Sequence, residues 1–132
     1  MKTIVTSGKR KRAIATASLK AGRGVVRINR LLLENHEPKL ARMKIEEPLI
    51  IADKYASKVD ISVNVIGGGF MAQAEAARLA IARALVAHAN SQQLKDTFLQ
   101  YDRTLLVADV RRKEAAKPND SKARAARQKS YR

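Results

Sequence analysis

Three consecutive glycines, Gly67, Gly68 and Gly69, separate a strand-like alternation from an alanine-rich helical run. A helix start offers unpaired N–H groups and the positive end of its dipole, a combination that holds phosphate. No Gly-Lys-Ser/Thr follows, and the spacing is not that of a dinucleotide fingerprint, which excludes a nucleotide loop. Two readings of the glycines remain: a tight turn that needs positive φ, or a point where an RNA backbone comes close.

The other residues capable of chemistry form no constellation. His36 and His88 are far apart and lack any ligand pattern, so neither a metal site nor a cofactor is expected. Glu46 and Glu47 adjoin Pro48 near an expected helix start, where negative charge favours the dipole. No nucleophile elbow surrounds Ser7, Ser18 or Ser91. The chain has no cysteine, which removes disulfides, thiolate nucleophiles and Cys-held metals and fits a reducing compartment, with the cytoplasm as the default. These absences point to a binding protein, not to an enzyme or a protein with a small-molecule substrate.

Charge supplies what catalysis does not. The 132 residues carry 27 Lys and Arg against 12 Asp and Glu, a net +15, so a phosphate backbone is the leading partner. The cations cluster at Lys9, Arg10, Lys11 and Arg12, at Lys20 and Arg23, at Arg27 and Arg30, and at Arg78 and Arg83. The densest run ends the chain: Arg111, Arg112, Lys113, Lys117, Lys122, Arg124, Arg127, Lys129 and Arg132 stand against only Glu114 and Asp120. So basic a segment, with so few large apolar groups, cannot bury enough surface to fold alone and is expected to lie in solvent or on a polyanion. Cations spread over loops and a tail suit folded RNA, which is engaged through shape, phosphates and 2′-hydroxyls. A DNA-compacting or architectural protein is the rival reading, since phosphate contacts alone do not distinguish nucleic acids. Such a protein calls for minor-groove wedges or a dimerisation surface, and neither is legible. Membrane binding is not expected, because residues 76–89 are interrupted by Arg78, Arg83 and His88 and the tail offers mainly alanine.

The elements that must position these cations follow from periodicity. Ile4 and Val5 suit a short strand, with residues 7–12 as a polar break. Residues 13–19 alternate like a strand, Gly22, Arg23 and Gly24 read as a turn, and residues 25–28 return, giving an expected hairpin over residues 12–29. Residues 31–56 read as helical, with Pro38 and Pro48 each starting a short helix. Val59, Ile61, Val63 and Val65 mark the clearest strand, over residues 59–66. In residues 70–90, Phe70, Ala74, Ala77, Ile81 and Leu85 form one apolar stripe and Leu79 and Val86 a second, which predicts a helix enclosed on two sides. Asn90 with Gln93 suggests a cap for a further helix to Leu99, and residues 105–107 a short extended piece. The division expected is a globular RNA-binding body over residues 1–110 and an extended basic tail over residues 111–132.

Residues 67–85, GGGFMAQAEAARLAIARAL, resemble the signature of the small-subunit ribosomal protein nine family. The opening SGKRKRAIA at residues 7–15 does so too, and the ending RQKSYR at residues 127–132 resembles its archaeal and eukaryotic branch, with the compact length nearer the archaeal form. The resemblance implies an α+β fold in which a mixed β-sheet packs on helices and includes a left-handed strand-helix-strand crossover. It implies a structural constituent of the small-subunit head, located on the cytoplasmic ribosome. Its partners would be small-subunit ribosomal RNA, neighbouring head proteins and the peptidyl-site tRNA. On that reading the ribosomal RNA would meet Lys9 to Arg12, Arg23, Arg27, Arg30, the three glycines, Arg78 and the basic residues from Arg111 to Arg127. The tRNA would fall to Lys129, Ser130, Tyr131 and Arg132, with Tyr131 either stacking on a base or simply a tail residue. Two positions depart from the commoner family pattern: Ala72 replaces a glycine before Gln73, and Val110 replaces a proline that would set the tail's exit direction.

Overall fold

Alternating small apolar residues write the central strands. The computed structural model describes residues 3–112 and residue 115. Strand β1 spans Ile4–Arg10 and β2 spans Ala13–Ala21, where Ala13, Ala15, Ala17 and Leu19 are buried while Thr16 and Lys20 face outward. Two short strands follow, β3 at Val26–Ile28 and β4 at Leu31–Leu32, and then a 3₁₀ turn at Leu33–Asn35. Helix α1 covers Lys39–Ile51 and α2 covers Asp53–Ala56. Strand β5 is Val59–Ile66, the range expected from its alternation, with Val59, Ile61, Val63 and Val65 buried. Helix α3 runs Phe70–Ala89, α4 runs Gln92–Tyr101, and a 3₁₀ turn at Arg103–Leu105 precedes the exit of the chain.

The five strands form one mixed sheet in the order β1-β2-β5-β3-β4, giving an α+β fold. β2 is antiparallel to both β1 and β5, β3 lies parallel to β5, and β4 turns back on β3. Parallel neighbours need a crossover, and the segment through α1 and α2 supplies it. The expected hairpin over residues 12–29 does not form. β2 instead pairs with β5 from Ile14↔Ile66 to Ala21↔Val59, a match of two long strands that the three residues of β3 could not offer. The true hairpin is β1–β2, with Lys11 and Arg12 at its tip, so the polar break expected at residues 7–12 is mostly strand.

Small side chains set the distance between sheet and helix. α3 lies on β1 and β2, where Ala13, Ala15 and Ala17 face a helix rich in buried Ala76, Ala77, Ala80 and Ala84. Gly8 sits at the closest point: a Cβ there would strike the Ala76 carbonyl and the Ala80 amide. Thr6 Oγ1 donates to the Ala80 carbonyl at 2.7 Å, a strand-to-helix hydrogen bond that only such an approach permits. The remaining sides of α3 meet α1, α4 and the second 3₁₀ turn, where Ile45, Leu94, Phe98 and Leu105 complete the core. Burying each large member contributes about 1.5–3 kcal/mol before entropy.

Several expected boundaries move. Pro48 lies inside α1, not at a helix start; its ring is buried, which offsets the backbone hydrogen bond it cannot donate. Leu31 and Leu32 are strand, not helix, because they pair with β3. Phe70 is 58% exposed at the first turn of α3 and is not part of the core stripe. Asn90 ends α3 in the left-handed region at φ 48°, and Ser91, accepting from the Leu94 N–H, caps α4. Residues 105–107 are not extended: Leu105 closes the 3₁₀ turn. No helix among the described residues is long and apolar enough to cross a membrane.

Candidate nucleic-acid interface

Positive φ angles gather at one end of the sheet. Arg10 pairs with Ala13, which leaves Lys11 and Arg12 to close the β1–β2 hairpin, with Lys11 at φ 54°. Ile28 pairs with Leu31, which leaves Asn29 and Arg30 to close β3–β4 at φ 51° and 72°. β5 ends alongside them, and Gly67 and Gly68 leave it at φ 76° and 71°. The Asn29 side chain ties two of these turns together, accepting from the Val65 N–H at 2.8 Å and donating to its carbonyl at 3.3 Å.

The glycine turn has a packing cause. A Cβ on Gly67 would press on the Arg12 carbonyl at 2.6 Å, and one on Gly68 would crowd Ala13 at 3.1 Å. Positive φ and close approach to the chain itself therefore both demand glycine at these two positions. Gly69 differs: nothing lies within 4 Å of its missing Cβ, and it caps α3 with no side-chain hydrogen bond. The first intrahelical bond runs from the Gln73 N–H to the Gly69 carbonyl, so the preceding N–H groups of α3 face outward without helical partners. Gln73 Nε2 donates to the Gly67 carbonyl at 3.1 Å and braces the turn.

The structure distributes the expected contact residues over several places. Lys11, Arg12, Arg30 and Gly67 to Gly69 share this end, and Lys9 is close by on the outer face, in register with Ile14. Arg27 faces out at the level of Ser62. Arg23 lies at the opposite end, in a turn organised by Asp60, whose carboxylate accepts from the N–H groups of Val25 and Arg23. Those hydrogen bonds hold Asp60 below the usual carboxylate range.

Three arginines turn inward. Arg78 is only 4% exposed, bound to Glu47 at 2.6 Å, to Asp102 at 3.1 Å and to the Thr104 hydroxyl at 3.1 Å. It joins α3 to α1 and to the second 3₁₀ turn, which leaves little of the guanidinium exposed. Desolvation works to raise the Asp102 pKa, but hydrogen bonds from Thr104 and Arg78 prevail and keep it below the ordinary value. Arg10 is partly buried against Glu75 and Asp109. Asp109 also accepts from the Arg111 side chain and N–H, which hold it far below the carboxylate range. That cluster directs the chain at the point where Val110 had left its exit unspecified. Arg83 spans Ser7 and Leu106, donating to both carbonyls.

These internal partners escaped the sequence reading because nothing in spacing connects Glu47 or Asp102 to Arg78. The capping position of Asp102, whose carboxylate takes the Thr104 N–H at 3.0 Å, was the one legible trace. Arg111 and Arg112 are exposed at the end of the described body. Lys113, Lys117, Lys122, Arg124, Arg127, Lys129, Ser130, Tyr131 and Arg132 lie outside the described residues. Among the described residues no group of His, Asp and Glu is placed to hold a metal.

Comparison with known proteins gives the family. Residues 8–132 match the family described as Ribosomal protein S9/S16. The chain is 48% identical over 134 residues to the small ribosomal subunit protein uS9 of Methanococcus maripaludis strain C7, with the full length of both covered. The uS9 protein of strain C5 matches at the same identity and coverage.

Proposed function

We propose, for a chain that belongs to the ribosomal protein S9/S16 family, that the glycine-bearing end of the sheet is where the body grips small-subunit ribosomal RNA. Membership makes the protein a structural component of the small subunit that serves translation, in a family that is not one of enzymes, and its similarity to methanogen proteins fits the archaeal form. The ribosome, and with it the cytoplasm, is its place of work. The observation that carries the RNA assignment is that Lys11, Arg12 and Arg30 stand in turns at the same end of the sheet as the glycine turn that leads into α3. Arginine forks and exposed N–H groups both suit phosphate, and phosphate contacts fix register without reading bases, as befits a protein that fixes RNA shape. Glu75 and Asp109 are paired with Arg10, which offsets their repulsion of an incoming phosphate.

The same reading assigns the body to residues 1–110 and a basic tail to residues 111–132, and gives the β3-to-β5 crossover the left-handed sense of its family. Fully extended, the tail would reach about 70 Å. Its last residues, Lys129, Ser130, Tyr131 and Arg132, are assigned to the peptidyl-site tRNA, and its earlier cations to ribosomal RNA. Their support is the basic composition and the family match that runs to residue 132.

Filter binding of a small-subunit head RNA fragment tests the body. Each of Lys11→Gln, Arg12→Gln and Arg30→Gln should weaken binding and make its salt dependence shallower, by about 0.9 in log-log slope for each duplex phosphate that is no longer neutralised. Affinities and slopes equal to those of the wild type in all three variants would overturn the assignment, and equal retention by duplex DNA would favour the architectural reading. Subunits lacking residues 128–132 should assemble but hold tRNA at the peptidyl site less tightly; unchanged tRNA binding across a salt series leaves the tail with ribosomal RNA alone.

A further inference from the structure

α1 turns an apolar stripe away from the body. Leu40, Met43 and Ile50 are 63%, 52% and 71% exposed. Their spacing places them within an arc of about 80° on the helix, opposite the face that buries Ala41, Ile45 and Pro48. Glu47 falls in the same arc, but its carboxylate is engaged by Arg78. Single exposed apolar residues need no explanation. Three on one arc of one helix, in a chain of net charge +15, do.

The surrounding charge says what the stripe is not for. Residues 34–58 hold five acidic and five basic side chains, so the whole net charge of +15 lies outside this stretch. A phosphate backbone gains no counterion release there and would have to strip water from leucine, methionine and isoleucine for nothing in return. The chain's own end cannot cover the stripe with matching apolar groups, because residues 113–132 contain no Leu, Ile, Val, Met or Phe. A second copy is opposed by the charge that each copy brings.

We infer that this face of α1 is a protein-docking surface, and that its occupant is a neighbouring small-subunit protein presenting an apolar row flanked by carboxylates. The carboxylates answer Lys39, which is exposed, has no ion pair among the described residues and starts the helix that bears the stripe; Lys44 instead lines a cleft with Glu75, Asp102 and Asp109. Arg42, by contrast, is already near Glu46 at 3.9 Å. The inference rests on the family reading for the neighbourhood of other subunit proteins, but not on the RNA assignment of the sheet end.

Photocrosslinking in purified, assembled small subunits separates the two. A benzophenone amino acid replacing Met43 should crosslink to one other subunit protein, identified by mass, and not to RNA, whereas the same probe replacing Arg12 should crosslink to RNA. Met43→Asp should lower retention of that protein under salt washing at least threefold while leaving the free protein's melting temperature and RNA-fragment affinity unchanged. Crosslinking of the Met43 probe to RNA, to a second copy of the chain or to nothing would overturn the docking surface. A Met43 probe that reaches a protein beside an Arg12 probe that reaches nothing supports the docking surface and counts against the RNA interface instead.

Discussion

Arg12 and Arg78 are the same residue type, and the fold uses them in opposite ways. Arg12 closes a hairpin beside Gly67 and stays exposed, while Arg78 is enclosed by Glu47, Asp102 and Thr104. The sheet end is backbone held in left-handed conformations with cations left open. The seam between α3, α1 and the chain's exit is cations consumed by carboxylates. A positive charge in a sequence is therefore no statement about a polyanion until its acidic neighbours are known. In this chain those neighbours come from segments 24 and 31 residues away.

The sharpest way to break the contrast is at the glycines. Gly68→Val puts a β-branched side chain at φ 71° against Ala13, and the expected loss is at least about 3 kcal/mol in urea unfolding, from backbone strain and overpacking together. A variant with unchanged urea stability would show that the close approach at this turn is not real. Arg78→Met comes next: leaving Glu47 and Asp102 partly unpaired should cost about 2 kcal/mol, below the range for fully buried pairs because both carboxylates keep some solvent. RNA affinity of the folded fraction should stay within twofold. Arg12→Gln should do the reverse, changing stability by under about 0.5 kcal/mol while RNA binding weakens. If Arg78→Met weakens RNA binding and Arg12→Gln does not, the two roles have been assigned the wrong way round.

Acid sharpens the same comparison with a smaller effect. Asp102 is held below its ordinary pKa in the folded protein, so its contribution is fully present above the unfolded value near 3.8 and is lost as pH falls toward and through the lowered folded value. Stability measured from pH 5 downward should decline, and Asp102→Asn should flatten part of that decline, whereas Arg12→Gln should leave its shape unchanged. Identical pH profiles for wild type and Asp102→Asn would remove the carboxylate from the seam's energetics.

Much of this protein was legible along the chain wherever a property is local. The strand over Val59–Ile66 and the body of α3 follow from repeats of two and of three to four apolar residues, because burial on one face imposes that period on any sequence. The glycine turn was legible as well, since glycine tolerates positive φ whatever surrounds it. Pairing was not: alternation shows that a strand has a buried face but not which strand lies beside it, so β5 entered between β2 and β3 unannounced. Caps were half legible, with Ser91 one residue from the expected Asn90.

What the sequence alone determined is the net charge and the family: a net +15, and motifs at residues 7–15, 67–85 and 127–132 in family order. Charge sums over a chain regardless of how it folds, and motifs are read in one dimension. Tertiary structure alone decided which cations remain available. Arg78 and Arg10 meet their carboxylates only when α1, the α4 exit and residues 109–111 are packed on α3 and β1, and Lys11, Arg12 and Arg30 converge only when three turns end on one side of the sheet. The physical reason is range: an ion pair depends on separations of a few ångströms between segments that the chain holds far apart until it folds.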